Sequence, residues 1–253
     1  MGKKIDLGNI KIYAENSYED MSAKAAEIFS EELKKNPKGV YGFATGSTPV
    51  GMYKELIKKY ETEGIDFSNV TTFNLDEYYP IKKDNSQSYD YFMKENLFRH
   101  INLKEENINI PNGEADNSVE ECMRYEEKIK NSGGIDLQIL GIGENGHIGF
   151  NEPSKHFTKV TNFIPLTDST ISANSRFFES KDEVPKHALT MGIQTIMKAK
   201  KILLVVNSAK KKEILKKALF GEITPEVPAS ILQLHQDVTV VVDNEAGDFL
   251  ENI

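Results

Sequence analysis

A single cysteine, Cys122, occurs in 253 residues. No disulfide can therefore form within the chain, and a reducing setting, the cytoplasm, is expected. Long apolar runs are also missing: none approaches the roughly 18–20 residues that cross a bilayer as a helix. The opening Met1-Gly2-Lys3-Lys4-Ile5-Asp6 carries no apolar stretch behind its lysines, which argues against a signal peptide and a membrane partner. Positive charge is in deficit, with 31 Lys and Arg against 39 Asp and Glu and a net charge of −8. A nucleic-acid partner is therefore not expected, and an anionic ligand would need locally placed cations. Repeats, low-complexity segments and Pro- or Gly-rich linkers are absent, so residues 1–253 read as one domain. The remaining composition, 39% hydrophobic and 28% charged, suits a globular chain with a core of its own.

Strand and helix patterns alternate along this chain. Short β-rich runs fall at Asn9–Tyr13, Val40–Ala44, Val70–Leu75, Asp136–Leu140, Ile202–Val206 and Val238–Val242. Helical spacing predicts Tyr18–Lys35, Thr48–Tyr60, Tyr89–His100, Val119–Lys130, Ala188–Ala199 and Ser208–Phe220, with a short helix in the tail. Thr48 is the expected N-cap of the second helix, with Pro49 in its first turn. The expected class is α/β, a mostly parallel, Rossmann-like sheet with helices on both faces. In such sheets ligands bind beyond the carboxyl ends of the strands. Loops following three of the strands, Thr45–Thr48, Asp76–Pro80 and Gly141–Pro153, should open on that one edge.

The first loop, Ala44-Thr45-Gly46-Ser47-Thr48-Pro49, has small residues, three hydroxyls and a helix start behind it, which suits a phosphate. An ordinary capped turn fits as well, and the lysine of a Walker A loop is missing. The second, Asn74-Leu75-Asp76-Glu77-Tyr78-Tyr79-Pro80, brings two carboxylates to a strand end. A partly buried carboxylate there could serve as a carbon-acid base, although a solvated acidic turn is the plainer alternative. The third carries Gly141, Gly143 and Gly146 in dinucleotide-fingerprint spacing after a strand. That fingerprint needs a continuous helix next, and Pro153 interrupts it. The loop instead offers His147 for acid–base work, with Glu152 close behind. The His–Glu spacing does not match a zinc motif and no cysteine accompanies it, so no metal is expected. Arg176, in Ala173-Asn174-Ser175-Arg176-Phe177-Phe178, and Lys210, between a strand and a helix, are candidate phosphate cations; either alone reads equally as a surface charge.

The blocks ATGSTP, NLDEY, GHIGFNEP and ANSRFF, then Leu232-Gln233-Leu234-His235, resemble the glucosamine-6-phosphate deaminase family, in order, from Val40 to about Asp243. The resemblance implies conversion of glucosamine 6-phosphate to fructose 6-phosphate and ammonia, with no metal and no organic cofactor. It implies that His147 opens the sugar ring and that Asp76 moves the proton between C2 and C1. Glu152 would orient His147, and Asn145 stands where many members have an aspartate beside that histidine. Thr45, Gly46, Ser47, Thr48, Arg176 and Lys210 would hold the phosphate, and Glu77 would contact the substrate beside Asp76. Cations of the activator site in allosteric members are replaced by Asn162 and Ile164, which leaves Lys155 alone, so no activator site is expected in a chain that could be monomer or homo-oligomer. A galactosamine-6-phosphate deaminase/isomerase and a 6-phosphogluconolactonase are the near alternatives, the latter because of Tyr79-Pro80 after the acidic pair. A sugar-phosphate-sensing module is the more distant alternative, opposed by the intact Asp76, His147 and Glu152.

Overall fold

Runs such as Leu137–Leu140 and Val238–Val242 bury nearly every residue, the pattern of parallel strands covered on both faces. In the computed structural model, which describes residues 2–167, 170–172, 175, 178, 180 and 183–252, they form the middle of an eight-stranded sheet. The strands are β1 (Lys3–Asp6), β2 (Ile10–Ala14), β3 (Val40–Phe43), β4 (Thr71–Asn74), β6 (Ile108–Asn109), β7 (Leu137–Leu140), β10 (Lys201–Val206) and β11 (Val238–Val242). Their order is β1-β2-β11-β10-β7-β3-β4-β6, parallel throughout except for the antiparallel edge pair β1–β2. From β3 the chain proceeds outward to β4 and β6, then returns to the other side of β3 and proceeds through β7, β10 and β11. The order therefore reverses between β3 and β7, and the crevice beyond their carboxyl ends is where such sheets bind ligands. Rossmann-like describes this sheet loosely, since the strand order is its own.

Helices α1 (Tyr18–Lys35), α2 (Val50–Glu63), α3 (Tyr89–Asn96), α4 (Ser118–Asn131), α5 (Ile193–Met197), α6 (Lys212–Phe220) and α7 (Asn244–Gly247) accompany the sheet. In α1, Ser17 caps by accepting from Asp20 N, and acidic and basic residues sit at the favourable ends of the dipole. Its apolar stripe of Met21, Ala25, Phe29 and Leu33 is buried in the one large core cluster, which extends across the whole sheet. Among the described residues, no helix is long and apolar enough to cross a membrane.

A second sheet was not expected. It contains β5 (Asp76–Tyr79), β9 (His187–Thr190) and β8 (Asn162–Pro165), all antiparallel, with β9 in the centre. Two expectations fail here. Asp76–Pro80 is a strand for most of its length, not a loop. Ala188–Ala199 is not one helix: it begins inside β9, and only Ile193–Met197 is helical. Ala188 and Leu189 favour helices locally, but pairing on both sides within a buried sheet overrides that weak preference. Elsewhere, the helix expected over Tyr89–His100 stops at Asn96, and a separate 3-10 turn follows at Phe98–His100.

Candidate active site

The loops after β3 and β7 and the turn after β10 leave neighbouring parallel strands at the same edge, and β5 begins two residues beyond β4. The expected convergence is therefore present. Asp76, at the start of β5, pairs in register with Thr190 of β9. Its carboxyl lies beside the third loop: a methyl group on Gly149 would come 3.5 Å from Asp76 Oδ2. Tyr78, Tyr89 and Phe150 form an aromatic cluster nearby, with ring centroids 4.8–6.0 Å apart. Burial, helped by the negative charge of Glu77, pushes the Asp76 carboxyl up to about 8.

Glu77 points elsewhere. Only 2% exposed, it accepts backbone N–H bonds from Tyr78, Tyr89 and Asp90, each at 2.9 Å. The last two are free N–H groups at the start of α3, which favour a negative charge at a helix N-terminus, but burial outweighs them and pushes the Glu77 carboxyl up to about 7. The expectation that Glu77 contacts substrate is corrected: its oxygens are already engaged by the backbone.

His147 owes its position to the glycines. A side chain on Gly143 would meet the imidazole at 2.2–2.4 Å, so glycine there makes room for the ring, not for a dinucleotide. His147 Nδ1 lies 2.7 Å from Asn145 Oδ1, and Asn145 Nδ2 donates to Glu152 Oε2 at 2.5 Å. Glu152 Oε2 is itself 3.6 Å from His147 Nδ1. Burial would raise the Glu152 carboxyl, but hydrogen bonding and charge from His147, with hydrogen bonds from Thr170 and Asn145, outweigh it and hold the group down at about 2. The structure thus brings together Asn145, His147 and Glu152 as expected, with Asn145 as the middle member.

In the first loop Gly46 takes φ +94°, a left-handed turn that suits glycine. Thr45, Gly46 and Ser47 remain at least partly accessible. Thr48 does not cap α2. Pro49 occupies the cap position, while Thr48 Oγ1 donates to Asn207 Oδ1 at 2.7 Å and accepts from Lys211 Nζ at 3.2 Å. Among the described residues, the cation that meets this loop is Lys211, whose ammonium is pulled down by burial. Lys210 is corrected: its side chain is 76% exposed and faces Glu144 at 3.9 Å. The cause is local. Ser208 adopts φ +84°, Ala209–Lys211 form a 3-10 turn, and α6 begins only at Lys212, so the direction of each side chain differs from that in a helix starting at Ser208. Arg176 lies outside the described residues. Sequence reading also missed Tyr89, a partly buried residue whose ring packs 4.8 Å from that of Tyr78 and whose hydroxyl lies close enough to feel the Thr45 side chain and the Asp76 charge.

A catalytic class follows from this arrangement. A carboxyl pushed up to about 8 lies at the same sheet edge as an oriented imidazole, with the Thr45–Thr48 loop and a lysine at that edge too. The family described as glucosamine-6-phosphate isomerases/6-phosphogluconolactonase matches residues 14–241, and the chain belongs to that family. The chain is similar to a glucosamine-6-phosphate deaminase of Thermoanaerobacter sp. (strain X514), 54% identical over 241 residues covering 95% of each protein. It is also similar to one of Clostridioides difficile (strain 630), 55% identical over 233 residues, 92% of this chain and 94% of that one. A solved monomeric glucosamine-6-phosphate deaminase superposes with a TM-score of 0.91 at 46% identity, over 94% of this chain and 98% of that one. The 6-phosphogluconolactonase of Trypanosoma brucei shares the fold, with a TM-score of 0.72 at 16% identity over 94% and 98% of the two chains.

Proposed function

We propose that the chain is a glucosamine-6-phosphate deaminase, which converts glucosamine 6-phosphate and water to fructose 6-phosphate and ammonia in amino sugar catabolism. The observation that carries the reading is the pairing of Asp76 with the His147–Asn145–Glu152 group at the switch point of the sheet. An aldose-to-ketose shift needs a base over C1 and C2 and a separate acid–base group at the ring oxygen. His147 moves the ring-oxygen proton to open the sugar. Asp76 takes the proton from C2 and returns it at C1 through an enolamine, and water then adds to the resulting C2 imine and releases ammonia, leaving the ketone. The loop Thr45–Thr48 and Lys211 hold the phosphate, and burial around Lys211 strengthens its attraction to an anion. We read the chain as a single catalytic domain of the cytoplasm, a placement that its lone cysteine supports.

The test is ammonia release from a panel of amino sugar 6-phosphates, with 6-phosphogluconolactone as control. Release from glucosamine 6-phosphate with inert lactone is expected. Preference for the galactosamine ester, or lactone hydrolysis without ammonia release, would reverse the assignment.

A further inference from the structure

Thr170 lies in the connection between β8 and β9, away from the sequence blocks that mark the site. Its hydroxyl nevertheless donates to Glu152 Oε1 at 2.6 Å. On the other oxygen, Oε2, Glu152 accepts from Asn145 Nδ2 at 2.5 Å, and Asn145 Oδ1 faces His147 Nδ1 at 2.7 Å. Four residues are thus joined in one hydrogen-bonded series that ends at the imidazole.

The series has a direction. An ionised carboxylate can only accept, and Glu152 is held as an anion throughout the neutral range. Asn145 must therefore turn its NH2 toward Glu152 and its carbonyl oxygen toward His147. That oxygen also only accepts, so His147 must carry its proton on Nδ1, which leaves Nε2 as the free acceptor of the neutral ring. The far end is fixed as well. Thr167 Oγ1 donates to Thr170 Oγ1 at 3.0 Å, so the single hydroxyl proton of Thr170 is committed to Glu152. An aspartate at position 145 would fix the tautomer by itself, because both its oxygens accept. An asparagine has one face of each kind, so its orientation is set by its partners: Glu152 accepts from Nδ2, and the His147 backbone N–H donates to Oδ1 at 3.2 Å, which leaves the carboxylate as the side-chain partner that Thr170 can control.

We propose that Thr170 is a positioning residue: by holding the Glu152 carboxylate from the β8–β9 connection, it orients the Asn145 amide and through it sets the tautomer of His147. The proposal rests on reading His147 as the acid–base group. Among the described residues the charged partner facing His147 is Glu152. Glu152 in turn meets His147, Asn145 and Thr170, and the Lys210–Glu144 pair is a separate, exposed one on the outside of the loop. The order of β8, β9 and the connection between them is thereby tied to the protonation of the ring.

The test uses the full chain labelled with ¹⁵N in its imidazoles, with the His147 signals assigned from His147→Gln. The wild type and Thr170→Ser should show the Nδ1–H tautomer and share one titration midpoint. Thr170→Val, and Thr170→Ala as a second apolar variant, should show a mixture of tautomers and a displaced midpoint. They should also release ammonia roughly ten-fold more slowly with little change in KM, a smaller effect than the 10²- to 10⁴-fold of losing an acid–base group outright. If both apolar variants keep the wild-type tautomer and midpoint, the proposal is overturned, whatever happens to kcat, because Thr170 would then only anchor its segment. Should the wild type release no ammonia, the functional reading fails, while the imidazole spectra still judge the relay.

Discussion

Asp76 and Glu152 are carboxylates at the same sheet edge, and their surroundings drive them in opposite directions. Asp76 is buried near Tyr78, Tyr89 and Phe150, and that burial, with the negative charge of Glu77, raises it to about 8. Glu152 is half-buried too, but His147, Thr170 and Asn145 each support its anion, and it falls to about 2. The contrast separates two tasks. A group that changes charge near neutral pH can take and return a proton. A group fixed as an anion cannot, and serves instead to orient one that can. Residue type alone does not assign these roles; desolvation and hydrogen bonding do.

Several substitutions would break or sharpen that contrast. The largest effect is expected from Asp76→Asn, which removes the proposed base: turnover should fall by roughly 10²- to 10⁴-fold. Loss of deuterium from C2-labelled glucosamine 6-phosphate should fall with it. Persistent exchange would reassign the base, though Glu77, occupied by three backbone N–H groups, is no longer a ready substitute.

Next comes the phosphate site. A hydrogen bond to a charged group contributes roughly 1.5–3 kcal/mol, so Lys211→Ala should raise KM by about ten- to a hundred-fold. Lys210→Ala should leave KM nearly unchanged. Steady-state kinetics on the two variants decide between the neighbouring lysines.

Glu152→Gln replaces an acceptor-only group with one that can present either face to Asn145. About a ten-fold fall in kcat is expected, read from the same ammonia assay, in line with a group that orients the acid–base residue instead of transferring a proton itself.

A stability difference should accompany the catalytic one. The folded-state pKa of Asp76 lies above its unfolded value of 3.8, so this group disfavours the folded state progressively as pH rises from about 4 to about 8. Asp76→Asn should therefore melt at a higher temperature than the wild type at pH 8, with little difference at pH 4. Glu152 has the opposite sign: its contribution is present above its unfolded value of 4.5 and is lost as pH falls through about 2. Melts of Asp76→Asn at about pH 8 and 4, and of Glu152→Gln above about pH 5 and near about pH 2, each beside the wild type, check the two signs.

The smallest expected effect is none. Asn162 lies in β8 with Ile164, and neither can supply a cation for a second phosphate site. Initial rates should be hyperbolic and unchanged by N-acetylglucosamine 6-phosphate. A Hill coefficient above one that collapses on adding that compound would contradict this.

Much of this arrangement was legible in the sequence because it is written in local pattern. Val238–Val242 and Tyr18–Lys35 were found at their observed bounds, since apolar periodicity and end signals agreed there. Asp76, His147, Asn145 and Glu152 stood out because their blocks are continuous in the chain. The second sheet was hidden for the opposite reason. β5, β8 and β9 are four-residue strands joined across long sequence separations, and His187–Thr190 carries no alternation to announce a strand. Lys210 was singled out where Lys211 meets Thr48, because one left-handed serine, Ser208, redirects the turn that follows it. Thr170 and Tyr89 gave no signal, since what distinguishes them is the side chain each one meets.

The most direct test of the contrast between the carboxylates is a ¹³C NMR titration of the side-chain carboxyls of Asp76 and Glu152 in the ligand-free protein. Asp76 is predicted to titrate near pH 8, while Glu152 stays ionised down to about 2. If both carboxyls titrate together in the ordinary carboxylate range, the division of labour between them is contradicted.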